Sequence, residues 1–300
     1  MLPRLRLVLL AALALQLASC ASGPASAPVA TPAPRPRDAV TAAAIERVLS
    51  GAHRGAENRA RDVYRHPLDT LLFFGIKPDM TVAEIWPGPD GWYTEILAPL
   101  QADAGKLYVA QMPAAPGNEF ITASLAGYSA KLAARPDLFG KVTLTTLGPD
   151  GSEIAPPGSC DLVLTFRNLH NWMNLGYAKQ AFDAMNRALK PGGILGVVDH
   201  RADPAKPRDE HAGNGYVNED YAIQLIESAG FELVERSQIN ANPKDTKDYE
   251  KGVWTLPPTL ELGEKDKEKY LAIGESDRMT LKFVKPGSDK IFAAPEAKPR

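Results

Sequence analysis

Short runs of apolar or β-branched residues recur along the chain at 82–85, 107–110, 142–147, 162–166, 194–198 and 231–235. A last run sets Met279, Leu281 and Phe283 in alternation with polar neighbours, and each of the seven predicts a strand. Helical spacing fills the intervals. Residues 119–134 are helix-compatible, and 177–190 carry Ala181, Phe182, Met185, Ala188 and Leu189 on one face before a Pro191-Gly192-Gly193 stop. Asn218 is placed to cap a helix bearing Ala222, Leu225, Ile226 and Ala229, closed by Gly230. Ahead of the first strand, residues 41–64 read as one helix with Ile45, Val48 and Leu49 inward, and 68–74 as a second that ends at Gly75. Residues 240–274 form a long polar segment before the final strand.

Strands that alternate with helices imply β-α-β units. The predicted fold is therefore α/β: a Rossmann-like, seven-stranded, mostly parallel sheet with an antiparallel last strand, preceded by N-terminal helices. In such a sheet strands one, four and five are central neighbours, and ligands bind beyond the carboxyl ends of the strands where the chain reverses direction.

The N-terminus carries a different pattern. Arg4 and Arg6 precede an apolar run at 7–18 that is too short to span a bilayer, which predicts an export signal over residues 1–19. Its ending, Leu17-Ala18-Ser19-Cys20, resembles the bacterial lipobox, in which the cysteine is acylated and becomes the mature N-terminus. Cys20 is accordingly the expected lipidation site and the membrane the expected partner at this end; the alternative is plain secretory cleavage nearby or an uncleaved anchor. Ala21 in place of Asp favours the outer membrane over the inner by the usual sorting pattern, which puts the protein on the periplasmic side of the envelope. Residues 20–40, rich in Ala, Pro and Ser, cannot bury a core and predict a tether. The folded domain is expected over 41–285 and a flexible tail over 286–300.

Charge narrows the partners further. With 34 basic against 36 acidic residues and no basic run, nucleic acid is not an expected partner. Of the two cysteines, acylation removes Cys20, so Cys160 is expected to be reduced and buried.

Candidate chemistry gathers at the ends of predicted strands. The first strand runs through Glu84 into Pro87-Gly88-Pro89-Asp90-Gly91, a loop that lets backbone approach a ligand before a helix starts near Trp92. The fourth runs into Arg167-Asn168-Leu169-His170-Asn171-Trp172 and the fifth into Asp199-His200-Arg201. A packed sheet needs none of these side chains. Histidine changes charge near neutral pH, so His170 or His200 is a candidate acid/base with Asp199 orienting an imidazole. His170, Asp199, His200 and His66 could instead hold a divalent cation. No spacing here is a metal signature, so acid/base work ranks first and no metal is assigned.

These motifs resemble those of class I S-adenosylmethionine (SAM)-dependent methyltransferases. Val82-Ala83-Glu84-Ile85 followed by Pro87-Gly88 and Gly91 is similar to their first motif, Leu189-Lys190-Pro191-Gly192-Gly193 to the turn into their fifth strand, and Ala229-Gly230-Phe231 to the entry to their sixth. More narrowly, Arg65-His66-Pro67, Glu84-Ile85-Trp86-Pro87-Gly88, Phe166-Arg167-Asn168-Leu169-His170-Asn171, Asp199-His200-Arg201 and Asp277-Arg278 resemble a family of exported bacterial predicted methyltransferases, over roughly residues 55–285. The resemblance implies SAM as cofactor. It puts Glu84, Gly88 and Gly91 at the methionine end and Phe166 to His170, Asn168 included, beside the transferred methyl group. It also implies that Asp150 contacts adenine, although a turn residue in Pro149-Asp150-Gly151 reads as well; Tyr64, Arg65 and His66 are candidates to cap the site from the N-terminal helices, the alternative being a helix end preceding Pro67. Two positions depart from the general motif. Trp86 stands where its first glycine does, and Gln111 replaces the acidic residue that takes the ribose hydroxyls.

Two functions follow. One is a lipid-anchored SAM-dependent methyltransferase acting on a small molecule or an envelope component. The other is a non-catalytic ligand-binding or scaffolding lipoprotein with the same fold, favoured by Trp86, by Gln111 and by the fact that SAM is made in the cytoplasm.

Overall fold

The computed structural model describes residues 38–150 and 153–287. The expected signal peptide, Cys20, nearly all of the tether and most of the tail lie outside the described residues. No helix among the described residues is long and apolar enough to cross a membrane.

Seven strands form one sheet: β1 (Thr81–Ile85), β2 (Lys106–Gln111), β3 (Thr143–Thr146), β4 (Cys160–Phe166), β5 (Leu189–His200), β6 (Glu232–Ser237) and β7 (Arg278–Val284). Their order is β3-β2-β1-β4-β5-β7-β6, with β7 antiparallel to both of its neighbours. The expected mixed sheet is the one observed. Its inner strands are apolar on both faces because helices cover both. Ala83, Ile85, Val163, Leu195 and Val197 pack beneath Trp172, Phe182, Met185 and Ile226. Val82, Val109, Leu162 and Leu164 pack on the other face against Ile45, Leu71, Phe74, Ile96 and Leu97.

Two readings change. The single helix expected over 41–64 is three pieces, Ala39–Leu49, Ala56–Ala60 and Asp62–Arg65. Gly51 lies beyond the first piece and Gly55 is extended ahead of the second, so the apolar face does not continue. The fifth strand starts at Leu189, so Pro191-Gly192-Gly193 lies within it and not between helix and strand. Its backbone is satisfied there by the end of the last strand: Gly192 N–H donates to the Lys285 carbonyl, and Lys285 N–H donates to that of Gly193.

Candidate active site

Alternation along β5 sends Asp199 to the face of Leu195 and Val197, and His200 to that of Val198. Asp199, fully buried, meets the short helix Leu169–Asn174 that follows β4. Its carboxylate accepts from His170 Nδ1 at 2.9 Å, from the His170 backbone N–H at 3.3 Å and from the His200 N–H at 2.7 Å. Since a carboxylate only accepts, Nδ1 of His170 carries the proton and Nε2 is the ring nitrogen left with a lone pair. Asp199 thus fixes His170 in position and tautomer. His200 is held separately, through Nδ1 and Ser276 Oγ at 2.5 Å, and the two imidazole centroids are 5.1 Å apart. Burial pushes the His200 pKa well down, and His170, Arg167, Arg278 and Arg65 push it the same way, so this ring is held neutral.

Both histidines line a cleft of about 740 Å³ with Met112, Pro113, Ile121, Leu175 and Tyr177 on its apolar walls. The long segment before β7 roofs it through Val253, Trp254, Pro257 and Pro258, with the Trp254 ring 6.1 Å from that of His170. A smaller cavity of about 250 Å³ adjoins it and is lined by Glu84, Phe166, Tyr93, Arg61, Arg65 and Arg278. Trp86, Gly88, Pro89, Arg167, Asn168 and Pro258 border both.

The proposed cofactor residues fall unevenly around these spaces. Gly88 adopts φ +75, and a Cβ built there would meet nothing within 4 Å, so the turn after β1 presents open backbone to both cavities. Gly91 is also left-handed, at φ +55, and a Cβ there would fall 2.7 Å from the Tyr128 ring, so the backbone at this glycine packs closely against that ring. Glu84 is buried and accepts from Thr94 Oγ1 at 2.6 Å, which in turn shares a 2.9 Å bond with Tyr128 Oη. Burial raises its carboxyl to about 7, opposed by the Thr94 bond and by Lys131. Phe166 stacks on Tyr93 at a centroid distance of 3.5 Å. Asn168 donates from Nδ2 to the Ile85 and Trp86 carbonyls, at 2.8 and 3.2 Å, tying β4 to the loop after β1. Trp86 sits at φ +48, donates from Nε1 to the Leu147 carbonyl at 3.1 Å and packs edge-on against Trp172 and Tyr177. Gln111 does not line the cleft, whereas its neighbour Met112 does, and the buried Gln111 Nε2 has no partner.

Glu275 and Ser276, which sequence reasoning passed over, come from just before β7, beside Arg278 of the Asp277-Arg278 motif. An antiparallel strand begins where its parallel neighbours end, so Glu275, Ser276 and Arg278 reach the crevice. Glu275 accepts from Arg61 at 2.7 Å, Arg278 at 3.1 Å and Arg65 at 3.3 Å, and Arg278 also donates to the Tyr64 carbonyl. Among the residues expected to cap the site, Arg65 lines the smaller cavity. The ligand atoms of His170, Asp199 and His200 lie within 4.8 Å of one another, and His66 is not in that group.

No family model matches this sequence, and no curated protein matches it. Solved structures do. The chain is similar to the [4+2]-cyclase SpnF, at 15% identity and TM-score 0.53, over 80% of this chain and 86% of that one. It is also similar to a SAM-dependent methyltransferase from Aquifex aeolicus, at 14% identity and TM-score 0.50, over 81% of this chain and 98% of that one. The fold is therefore the Rossmann-like one of class I SAM-dependent methyltransferases. A cyclase and a methyltransferase share it, so the reaction has to be argued from the site.

Proposed function

We propose that this protein is a SAM-dependent methyltransferase acting on a small molecule or envelope component, with His170 as general base. The observation that carries the reading is the Asp199–His170 pair in a cleft that also receives the open Gly88 turn. A nucleoside-sized ligand fits there on two counts: the cleft is large and mostly apolar-walled, and the backbone at Gly88 is unobstructed. When bound, SAM supplies an electrophilic methyl group.

The chain's residues do the rest. Gly88 and Met112 bound the cofactor side of the cleft, while Trp254 and Pro257 exclude water from above. His170 Nε2 takes the proton of the acceptor's nucleophile, and the Asp199 carboxylate stabilises the imidazolium that forms. Neutral His200 adds no competing positive charge beside it. Acid/base work is preferred to metal binding because Asp199 already accepts three hydrogen bonds, and Arg167, Arg278 and Arg65 repel a cation at His200. The Gln111 side chain outside the cleft and the Trp86 indole fixed to Leu147 favour the rival reading, a ligand-binding lipoprotein that keeps the fold without the reaction.

The reading includes acylation at Cys20 and residence on the periplasmic side of the outer membrane, supported by the Leu17-Ala18-Ser19-Cys20 ending. Cys20→Ser should release the protein from membranes or block its processing; unchanged fractionation and unchanged N-terminal mass would remove the anchor from the account. For the reaction, methyl-labelled SAM is incubated with envelope extract. Label should appear in an acceptor with the wild type and fall at least roughly a hundredfold with His170→Ala, as expected for loss of a general base. Equal labelling by the variant would exclude His170 from the chemistry.

A further inference from the structure

The smaller cavity has an unusual charge composition. Arg61, Arg65, Arg167 and Arg278 all border it, and Glu275 accepts hydrogen bonds from three of them, Arg61, Arg65 and Arg278. Burial alone would raise Glu275, but Arg65, Arg278, Arg167 and Arg61 outweigh it and hold the carboxyl down at about 2. Glu275 is the ionised carboxylate buried among these four guanidinium groups, and Asp90 lines the cavity from an exposed position, so the arginines remain in excess. Glu84 does not redress the balance, because its burial favours the protonated form below about pH 7. The deficit shows in the hydrogen bonds. Arg61 Nη2, Arg167 Nε and Arg278 Nε are buried donors without a partner. Arg167 is the clearest case: it borders both cavities, and its backbone is in the left-handed region at φ +64, which a side-chain-bearing residue adopts at some cost. Burial pushes the pKa of Arg65 down to about 9 and those of Arg167 and Arg278 down as well, with Glu275 opposing the shift in each case. Uncompensated buried charge and unpaired donors are expensive, and an anionic ligand would offset both.

We propose that this guanidinium cradle binds a carboxylate or phosphate group of a ligand whose remainder occupies the cleft beside His170. The cavity is the smaller of the two, and it shares Gly88, Arg167 and Asn168 with the larger space. The anion comes either from the amino-acid end of the cofactor or from the methyl acceptor. The inference extends the methyltransferase reading, but the cradle itself does not depend on it.

The test uses the intact protein and Arg167→Met, with Arg167→Lys as the conservative control, and inorganic phosphate, S-adenosylhomocysteine and methylthioadenosine as probes. Phosphate at millimolar concentration should raise the wild-type Tm by roughly 2 °C or more relative to chloride at equal ionic strength. Arg167→Met should abolish that rise with little change in the ligand-free Tm, because the buried Arg167 Nε has no hydrogen-bond partner to lose, and Arg167→Lys should keep part of it. Methylthioadenosine lacks the amino-acid carboxylate. If S-adenosylhomocysteine binds at least tenfold tighter and Arg167→Met removes that advantage, the cradle holds the cofactor's carboxylate. If the two bind alike and phosphate displaces neither, it holds the acceptor's anion. If neither nucleoside binds while the phosphate effect still depends on Arg167, the cradle stands and the cofactor assignment fails. The proposal is overturned if Arg167→Met leaves both phosphate stabilisation and S-adenosylhomocysteine binding unchanged.

Discussion

Glu84 is a buried carboxyl that accepts from a threonine hydroxyl and has no cation hydrogen-bonded to it among the described residues, and its stability contribution depends on pH accordingly. Its pKa is raised from 4.5 in the unfolded chain to about 7, so the folded protein keeps a proton that the unfolded chain releases. The contribution is complete below pH 4.5 and is lost as pH rises through 7. Glu84→Gln leaves Thr94 an oxygen to donate to and removes the linkage. The variant should match the wild type near pH 4 and be more stable at pH 8, by up to about 3 kcal/mol in denaturant titrations. Glu275 has the opposite sign: its stabilising ionisation is present above pH 4.5 and is lost as pH falls through about 2. Glu275→Gln leaves the arginines facing one another and should cost about 3–5 kcal/mol at pH 7, with a smaller cost in strong acid. The sequence made Glu84, His170, Asp199 and His200 visible because polar side chains at the ends of apolar strands have no packing purpose. It did not distinguish which imidazole Asp199 holds, since that depends on the pleat of β5 and the turn of the short helix after β4. Glu275 was overlooked because two of the arginines it accepts from, Arg61 and Arg65, lie more than two hundred residues away in the chain.

At the scale of elements, the central strands are fitted closely to the helix Pro67–Phe74. A Cβ on Gly196 of β5 would fall 2.7 Å from both Phe74 Cγ and Leu164 Cδ2. Gly196→Ala should therefore cost roughly 1–3 kcal/mol, read as a lower denaturant midpoint with the slope unchanged. Element positions were largely legible, for a physical reason. Runs such as 107–110 and 162–166 are buried on both faces, and the Asn218 cap is local chemistry, its side chain accepting from the Tyr221 N–H. Where the reading failed, tertiary pairing decided. Pro191-Gly192-Gly193 is a strong local stop, yet the end of β7 supplies the hydrogen bonds that keep it in the strand. Likewise the polar segment over 240–274 shows no apolar period, and its role as the roof of the cleft becomes apparent only once the sheet order is known.

For the whole molecule, a single sheet with helices on both faces makes Cys160 a reporter of global opening. It is a fully buried free thiol at the start of β4, and burial pushes its pKa up to about 11. Labelling should be slow in the native protein and fast after denaturation; rapid native labelling would mean that β4 opens locally. The topology also explains why the site survives such different strand contributions. β1, β4 and β5 are adjacent, so the Gly88 turn, the His170 helix and Asp199 converge although they are separated by more than a hundred residues of chain. Whether that convergence serves methyl transfer is tested most directly by calorimetric titration of SAM into the purified protein and into His170→Ala. The account predicts one saturable site per chain in both, since His170 acts on the acceptor's proton and not on the cofactor. The absence of binding to the wild type at millimolar SAM would contradict it.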